Sequence, residues 1–200
     1  AQEDSAREIE EVVITALRKE TNLQDTAITI TAITGADLEV KQIENFEDLQ
    51  FAVPTLGFAK GAYSGAGITL RGIGNFAVGN STSASIGYFW NGQTASASGL
   101  YEQEFFDVER VEVLRGPQGS LFGAGTTGGL IQMITKRPDA EAGGYLKADV
   151  ADYDSLRMEG AVNLPLTDKL RSRVAFASLQ RDGFVMNNHT GNKLDDRNTQ

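Results

Sequence analysis

Asp107-Val-Glu-Arg-Val-Glu-Val-Leu-Arg-Gly-Pro-Gln-Gly-Ser-Leu-Phe-Gly123, running on to Gly128-Gly129-Leu-Ile-Gln-Met-Ile-Thr-Lys-Arg-Pro138, decides the reading of this chain. Residues 108–114 alternate apolar with charged side chains, the pattern of a strand. A glycine-rich turn region covers 116–129. A second, β-branched apolar strand follows over 130–135, and Lys136-Arg137-Pro138 stops it.

Inside the turn region, Gly123-Ala-Gly125-Thr-Thr-Gly128 matches a dinucleotide-binding pattern, with Asp149 beyond it. That chemistry needs a helix whose N-terminal amides hold the pyrophosphate. The element that follows is a short strand ended by proline, so nucleotide binding is rejected. No Gly-Lys-Ser/Thr follows any glycine loop, and no serine sits in a nucleophile-elbow pattern. His189, the single histidine, lies among Asn187, Asn188 and Thr190 and has no companion ligands in sequence. The chain carries no catalytic constellation and is not read as an enzyme. No cofactor is expected, and no metal site.

Downstream of Pro138 the texture changes. Residues 144–151, 155–163 and 171–180 show roughly dyad alternation, joined by Asp152-Tyr153-Asp154 and by residues 164–168. Barrel strands need about 9–11 residues each, and this spacing suits an antiparallel meander of them; a soluble meander fits the same pattern. Residues 181–196 read as a polar loop.

Upstream, 85–90 read as a strand closed by an Asn91-Gly92 turn. Residues 28–34 form a half-buried strand broken by Gly35, with short helices at 36–42 and 46–52, the second capped by Asn45. Three polar, glycine-rich or serine-rich loops occupy 57–67, 74–85 and 93–103, the first leading into a strand at 68–71. Residues 1–24 are charged around one apolar island, 12–17, whose pattern fits a helix or a strand equally. An Ala-Gln start suits a cleaved N-terminus.

Composition narrows the class. The 200 residues include 22 glycines, 4 prolines and no cysteine, and the net charge is −9. Nucleic-acid binding needs a basic surface, which is not evident here. Disulfides and thiolate chemistry are excluded.

The segment 107–138 resembles the plug signature of TonB-dependent outer-membrane receptors. Ile68-Thr-Leu-Arg-Gly-Ile-Gly74 is similar to an earlier plug strand, Glu11-Val-Val-Ile-Thr-Ala16 to the TonB box, and residues 144–184 to the first barrel hairpins. The chain departs from the family pattern at Asn91-Gly92, where Asp-Gly is common, and at residues 130–132, where Ala-Ile-Asn is common.

The resemblance implies an α+β plug domain, a small mixed sheet with short helices. The first antiparallel strands of a transmembrane β-barrel follow it, truncated before closure. The divisions are 1–24 with the TonB box, 25–138 for the plug and 139–200 for the barrel start. A whole receptor of this type encloses its plug in a barrel of about 22 strands, so a fragment of a longer protein is expected.

The same resemblance implies location in the outer membrane, with the plug facing the periplasm. It implies uptake of a nutrient such as a ferric siderophore, cobalamin or a glycan. The partners it implies are the periplasmic domain of TonB and outer-membrane lipid. Glu11, Val12, Val13, Ile14, Thr15 and Ala16 would bind TonB by strand addition. Arg71 and Arg115 would contact the barrel wall. Lys60, Tyr63, Phe76, Asn80 and Tyr101 would face substrate from outward loops. Tyr145, Val150, Leu156, Ala161, Val174 and Phe176 would face lipid or core. The alternative is a soluble periplasmic plug-like binding or signalling module.

Overall fold

The computed structural model describes residues 13–14, 21–22, 29–61, 65–74, 84–95, 101–167, 169–191, 193–194 and 197–199. Contacts divide the chain into two compact units, Ala1–Thr135 and Lys136–Gln200.

In the first unit the elements run β1 (Val13–Ile14), β2 (Thr21–Asn22), β3 (Ile30–Thr34), α1 (Gly35–Val40), α2 (Phe46–Ala52), β4 (Leu56–Gly61), β5 (Gly65–Leu70), β6 (Ile73–Gly74), β7 (Ile86–Trp90), β8 (Gln93–Thr94), β9 (Val108–Arg115), α3 (Gly119–Phe122) and β10 (Gly129–Thr135). A five-stranded mixed sheet in the order β3-β9-β10-β7-β8 organises the unit, and β4-β5-β6 form a second, three-stranded sheet. The long strand β9 lies between β3 and β10, antiparallel to both, and β7 joins β10 in parallel.

Strand alternation sorts the side chains of β9 and β10 onto two faces. Val111, Val113, Ile131 and Met133 lie in the main core with Tyr88 and Ile33, together with Leu38, Phe46, Leu49 and Val53 from the helices and the chain after α2. Leu114, Leu130, Phe89 and Phe122 form a smaller core with Ile30 and Ala32. Thr34 caps α1 by accepting from the Asp37 amide at 3.1 Å, so Gly35 opens a helix as well as ending a strand. Asn45 caps α2 as expected, accepting from the Asp48 amide at 3.0 Å.

Residues 57–67, expected to form a loop, are instead largely the hairpin β4–β5, with Leu56 opposite Leu70 and Lys60 opposite Ala66. Glycines here serve close approach: a side-chain carbon on Gly57 would lie 2.6 Å from Thr69 Oγ1. The expected loop 74–85 lies mostly outside the described residues.

The second unit contains β11 (Gly143–Ala151), β12 (Ser155–Pro165), β13 (Arg171–Arg181), β14 (Val185–Met186), β15 (Lys193–Leu194) and β16 (Arg197–Thr199). Strands β11, β12, β13 and β16 form an antiparallel sheet in that order, while β14 and β15 make a short hairpin inside the expected loop 181–196. Among the described residues, no helix is long and apolar enough to cross a membrane.

Register decides what each face of this meander carries. Leu146, Gly160 and Phe176 stand abreast, as do Val162 with Val174 and Val150 with Leu156. This face is apolar yet exposed, Val150 at 81% and Leu146 at 67%. The other face carries Lys147, Asp149, Arg157, Glu159, Asn163 and Arg173, with Glu159 paired to Arg157 at 3.3 Å and Lys147 at 3.6 Å. Tyr145 and Ala161 oppose each other on that polar face, with Ala175. Of the six positions expected to face lipid or core, Val150, Leu156, Val174 and Phe176 therefore share the apolar face, while Tyr145 and the buried Ala161 stand one residue of strand parity away, on the other.

Candidate coupling strand and plug surface

The apolar island near the N-terminus is a strand where it is described. Val13 pairs with Asn22 and Ile14 with Thr21, antiparallel. Glu11, Val12, Thr15 and Ala16 lie outside the described residues, as do Tyr63, Phe76 and Asn80.

Arg71 and Arg115 each follow the last apolar residue of a strand, and those strand ends meet. A side-chain carbon on Gly129 would lie 2.3 Å from the Leu114 carbonyl oxygen and 3.0 Å from Leu70 Cδ1. Only glycine fits there, and its φ of +139° is a further reason. The two arginines therefore follow neighbouring strand ends, a proximity that their separation in sequence hides. Arg71 is exposed and sits with Gly72 at positive φ in the β5–β6 turn, its amide donating to the Thr55 carbonyl at 2.8 Å. Arg115 is half-buried and donates from Nη2 to Thr31 Oγ1; its buried Nε has no hydrogen-bond partner among the described residues.

Lys60 is exposed near the end of the β4–β5 hairpin. Tyr101, expected on an outward loop, packs inward as a correction to that expectation. Its ring lies 5.8 Å from Phe46, edge-on, and 5.5 Å from Tyr88. An aromatic ring of this size is driven under cover, and edge-to-face pairing rewards the arrangement. Burial pushes the hydroxyls of both tyrosines above the ordinary range; the neighbouring Tyr101 adds to the effect at Tyr88.

Two polar devices were not singled out from sequence. Glu112 is fully buried and accepts from Arg110 Nε at 2.8 Å; Arg110 also pairs with Glu109. Their i, i+2 spacing puts Arg110 and Glu112 on one strand face, a signal available in the alternation of β9. Asn91 clamps the end of β10: Nδ2 donates to Thr135 Oγ1 at 2.9 Å, and the Thr135 amide donates to Asn91 Oδ1 at 3.0 Å.

A plug-like sheet joined to amphipathic antiparallel strands is the arrangement that comparison with known proteins then decides. The model of the TonB-dependent Receptor Plug Domain matches residues 22–130. The chain belongs to this family. It is 29% identical over 189 residues to the ferripyoverdine receptor of Pseudomonas aeruginosa, covering 92% of this chain and 22% of that protein. It is 38% identical over 90 residues to the pesticin receptor of Yersinia pestis, covering 44% of this chain and 13% of that one. The solved ferric yersiniabactin uptake receptor of Y. pestis superposes with a TM-score of 0.75 at 27% identity, over 84% of this chain and 26% of the other. The chain thus spans less than a quarter of the length of these curated relatives. The family is one of outer-membrane receptors, and this TonB-dependent plug domain belongs at the outer membrane.

Proposed function

We propose that this chain is the N-terminal part of a TonB-dependent transporter for a scarce nutrient, with a ferric siderophore as the leading substrate class. The observation that carries the reading is the pairing of two units in one chain. A plug sheet is followed at once by three long strands with one polar face and one exposed apolar face. Such a face needs cover in water and suits lipid, which disfavours the soluble alternative. The relatives named for ferripyoverdine and ferric yersiniabactin support the substrate class.

In this reading residues 11–16 add as a strand to the periplasmic domain of TonB. Backbone hydrogen bonds supply the affinity. The plug gates the barrel. Arg71 and Arg115 meet acceptors on the barrel wall, and the Nε of Arg115, which has no hydrogen-bond partner among the described residues, is the donor in want of one. Lys60, Tyr63, Phe76 and Asn80 face the substrate, and Tyr101 braces the plug beneath them. No catalytic step is involved.

The test is Val13→Pro in the full receptor. Proline removes a ladder donor. The variant is expected to lose capture by the TonB periplasmic domain and uptake of labelled ferric siderophore, while still binding ligand at the cell surface. Capture and uptake at the parent level would refute the coupling role of this strand.

A further inference from the structure

The coupling strand does not stand alone. β1 is already hydrogen-bonded along one edge to β2, with Val13 opposite Asn22 and Ile14 opposite Thr21. In the sheet they form, β1 and β2 are the only strands among the described residues. In an antiparallel pair, successive residues alternate in direction: one points its N–H and C=O at the partner strand, and the next points them away. One of Val13 and Ile14 therefore spends its backbone groups on β2. The other presents its groups on the opposite edge of β1.

We infer that residues 21–22 act as an internal template that holds residues 13–14 extended and presents their outer edge to the periplasmic partner. The inference rests on the coupling role proposed above. β2 and an incoming strand use different backbone groups of β1, so the geometry contains no competition between them. The incoming strand would build a three-stranded sheet, β2-β1-partner. A two-stranded hairpin alone is marginal in water, and three strands are needed for independent stability. The third strand thus stabilises the hairpin, and the hairpin removes part of the ordering cost that a flexible recognition segment brings to binding.

The sequence of β2 limits this template. Thr21 is a good strand former, whereas asparagine is depleted from strands. Asn22 opposite Val13 leaves the hairpin weakly held, so a substitution at this one position can move its stability in either direction.

The experiment measures the affinity of the isolated TonB periplasmic domain for the full-length receptor and three variants. Thr21→Pro/Asn22→Pro, which breaks the template and leaves residues 11–16 untouched, is expected to bind more weakly, on the order of tenfold. Asn22→Val, which strengthens it, is expected to bind more tightly, by about threefold. Tighter binding by the proline pair would make β2 a competitor and overturn the inference. So would equal affinity across the three proteins. Val13→Pro/Ile14→Pro, which removes whichever donor faces the partner, separates the two levels of the argument. Loss of binding there, with the Thr21/Asn22 proline pair unaffected, sinks the template alone. Retention of binding by Val13→Pro/Ile14→Pro sinks the coupling role and the template with it.

Discussion

Glu112 shows what a single buried side chain commits the plug to. Its carboxylate has no exposure, and it holds Arg110 Nε at 2.8 Å on the face shared with Gln132 and Ala32. A buried ion pair adds little over a well-packed apolar pair, but removing one member takes from the other its buried counter-charge, and Arg110 then keeps its pairing with the more exposed Glu109. Glu112→Leu is expected to destabilise the plug by about 3 kcal/mol. Arg110→Met/Glu112→Leu together should recover most of that loss. Urea midpoints of the purified variants decide it; a double variant as unstable as the single one would deny the coupling. Tyr88 gives a pH signature at the same scale. Its hydroxyl lies 4.0 Å from Met133 Sδ, and burial keeps it neutral far above the usual value of 10.0. The unfolded chain ionises this group near pH 10 while the folded one resists. Its contribution to stability is therefore complete below pH 10 and is lost as pH rises beyond it. Tyr88→Phe should unfold with a smaller loss between pH 9 and 11.5 than the parent. Superimposable profiles would contradict the burial argument.

At the scale of elements, what the sequence disclosed and what it hid divide along local versus non-local physics. Helix α2 was legible because its signals are local: Asn45 three residues before Asp48, and Pro54 just beyond the helix end. Strands β9 and β10 were legible from alternation and β-branching. The β4–β5 hairpin was not, because Gly57, Gly61, Gly65 and Gly67 look like loop residues until the register sets Gly57 against Thr69. Likewise, Asn91-Gly92 announced a turn, and both residues do take positive φ, at 48° and 80°. Nothing nearby announced that the Asn91 amide would reach Thr135, 44 residues on, and close the end of the parallel β7–β10 pair. The site residues followed the same division. Val13 and Ile14 fell in a strand that composition permitted, while the meeting of the Arg71 and Arg115 strand ends at Gly129 depends on packing alone. The clamp makes a prediction of its own. Asn91→Ala removes two hydrogen bonds and places alanine at a left-handed φ, for a loss of about 2 kcal/mol. Asn91→Asp keeps the acceptor for the Thr135 amide and should lose less. Hydrogen exchange at the Thr135 amide reads the clamp directly: protection unchanged in Asn91→Ala would show that it bears no load.

At the scale of the whole molecule, the meander in the second unit is a statement about solvent. Dyad alternation fixes only that its two faces differ; register fixes which residues share each. Val174 stands beside Val162 on the face where Val150, Leu146 and Phe176 are open, and Ala177 stands beside Glu159 on the charged face. If the apolar face meets hydrocarbon, a charge placed there is penalised by depth, about 2–4 kcal/mol for lysine near the bilayer midplane. A charge on the opposite face is not. Val174→Lys is therefore expected to lower the amount of heat-modifiable receptor in outer-membrane fractions, while Ala177→Lys, three residues along the same strand and next to a carboxylate, assembles like the parent. The comparison holds strand, residue type introduced and expression constant, and varies only the face. Equal assembly of the two variants would remove lipid as the cover for this surface. The reverse order would turn the sheet over, placing Lys147, Arg157 and Arg173 toward the membrane, where their unscreened charges would be least tolerable.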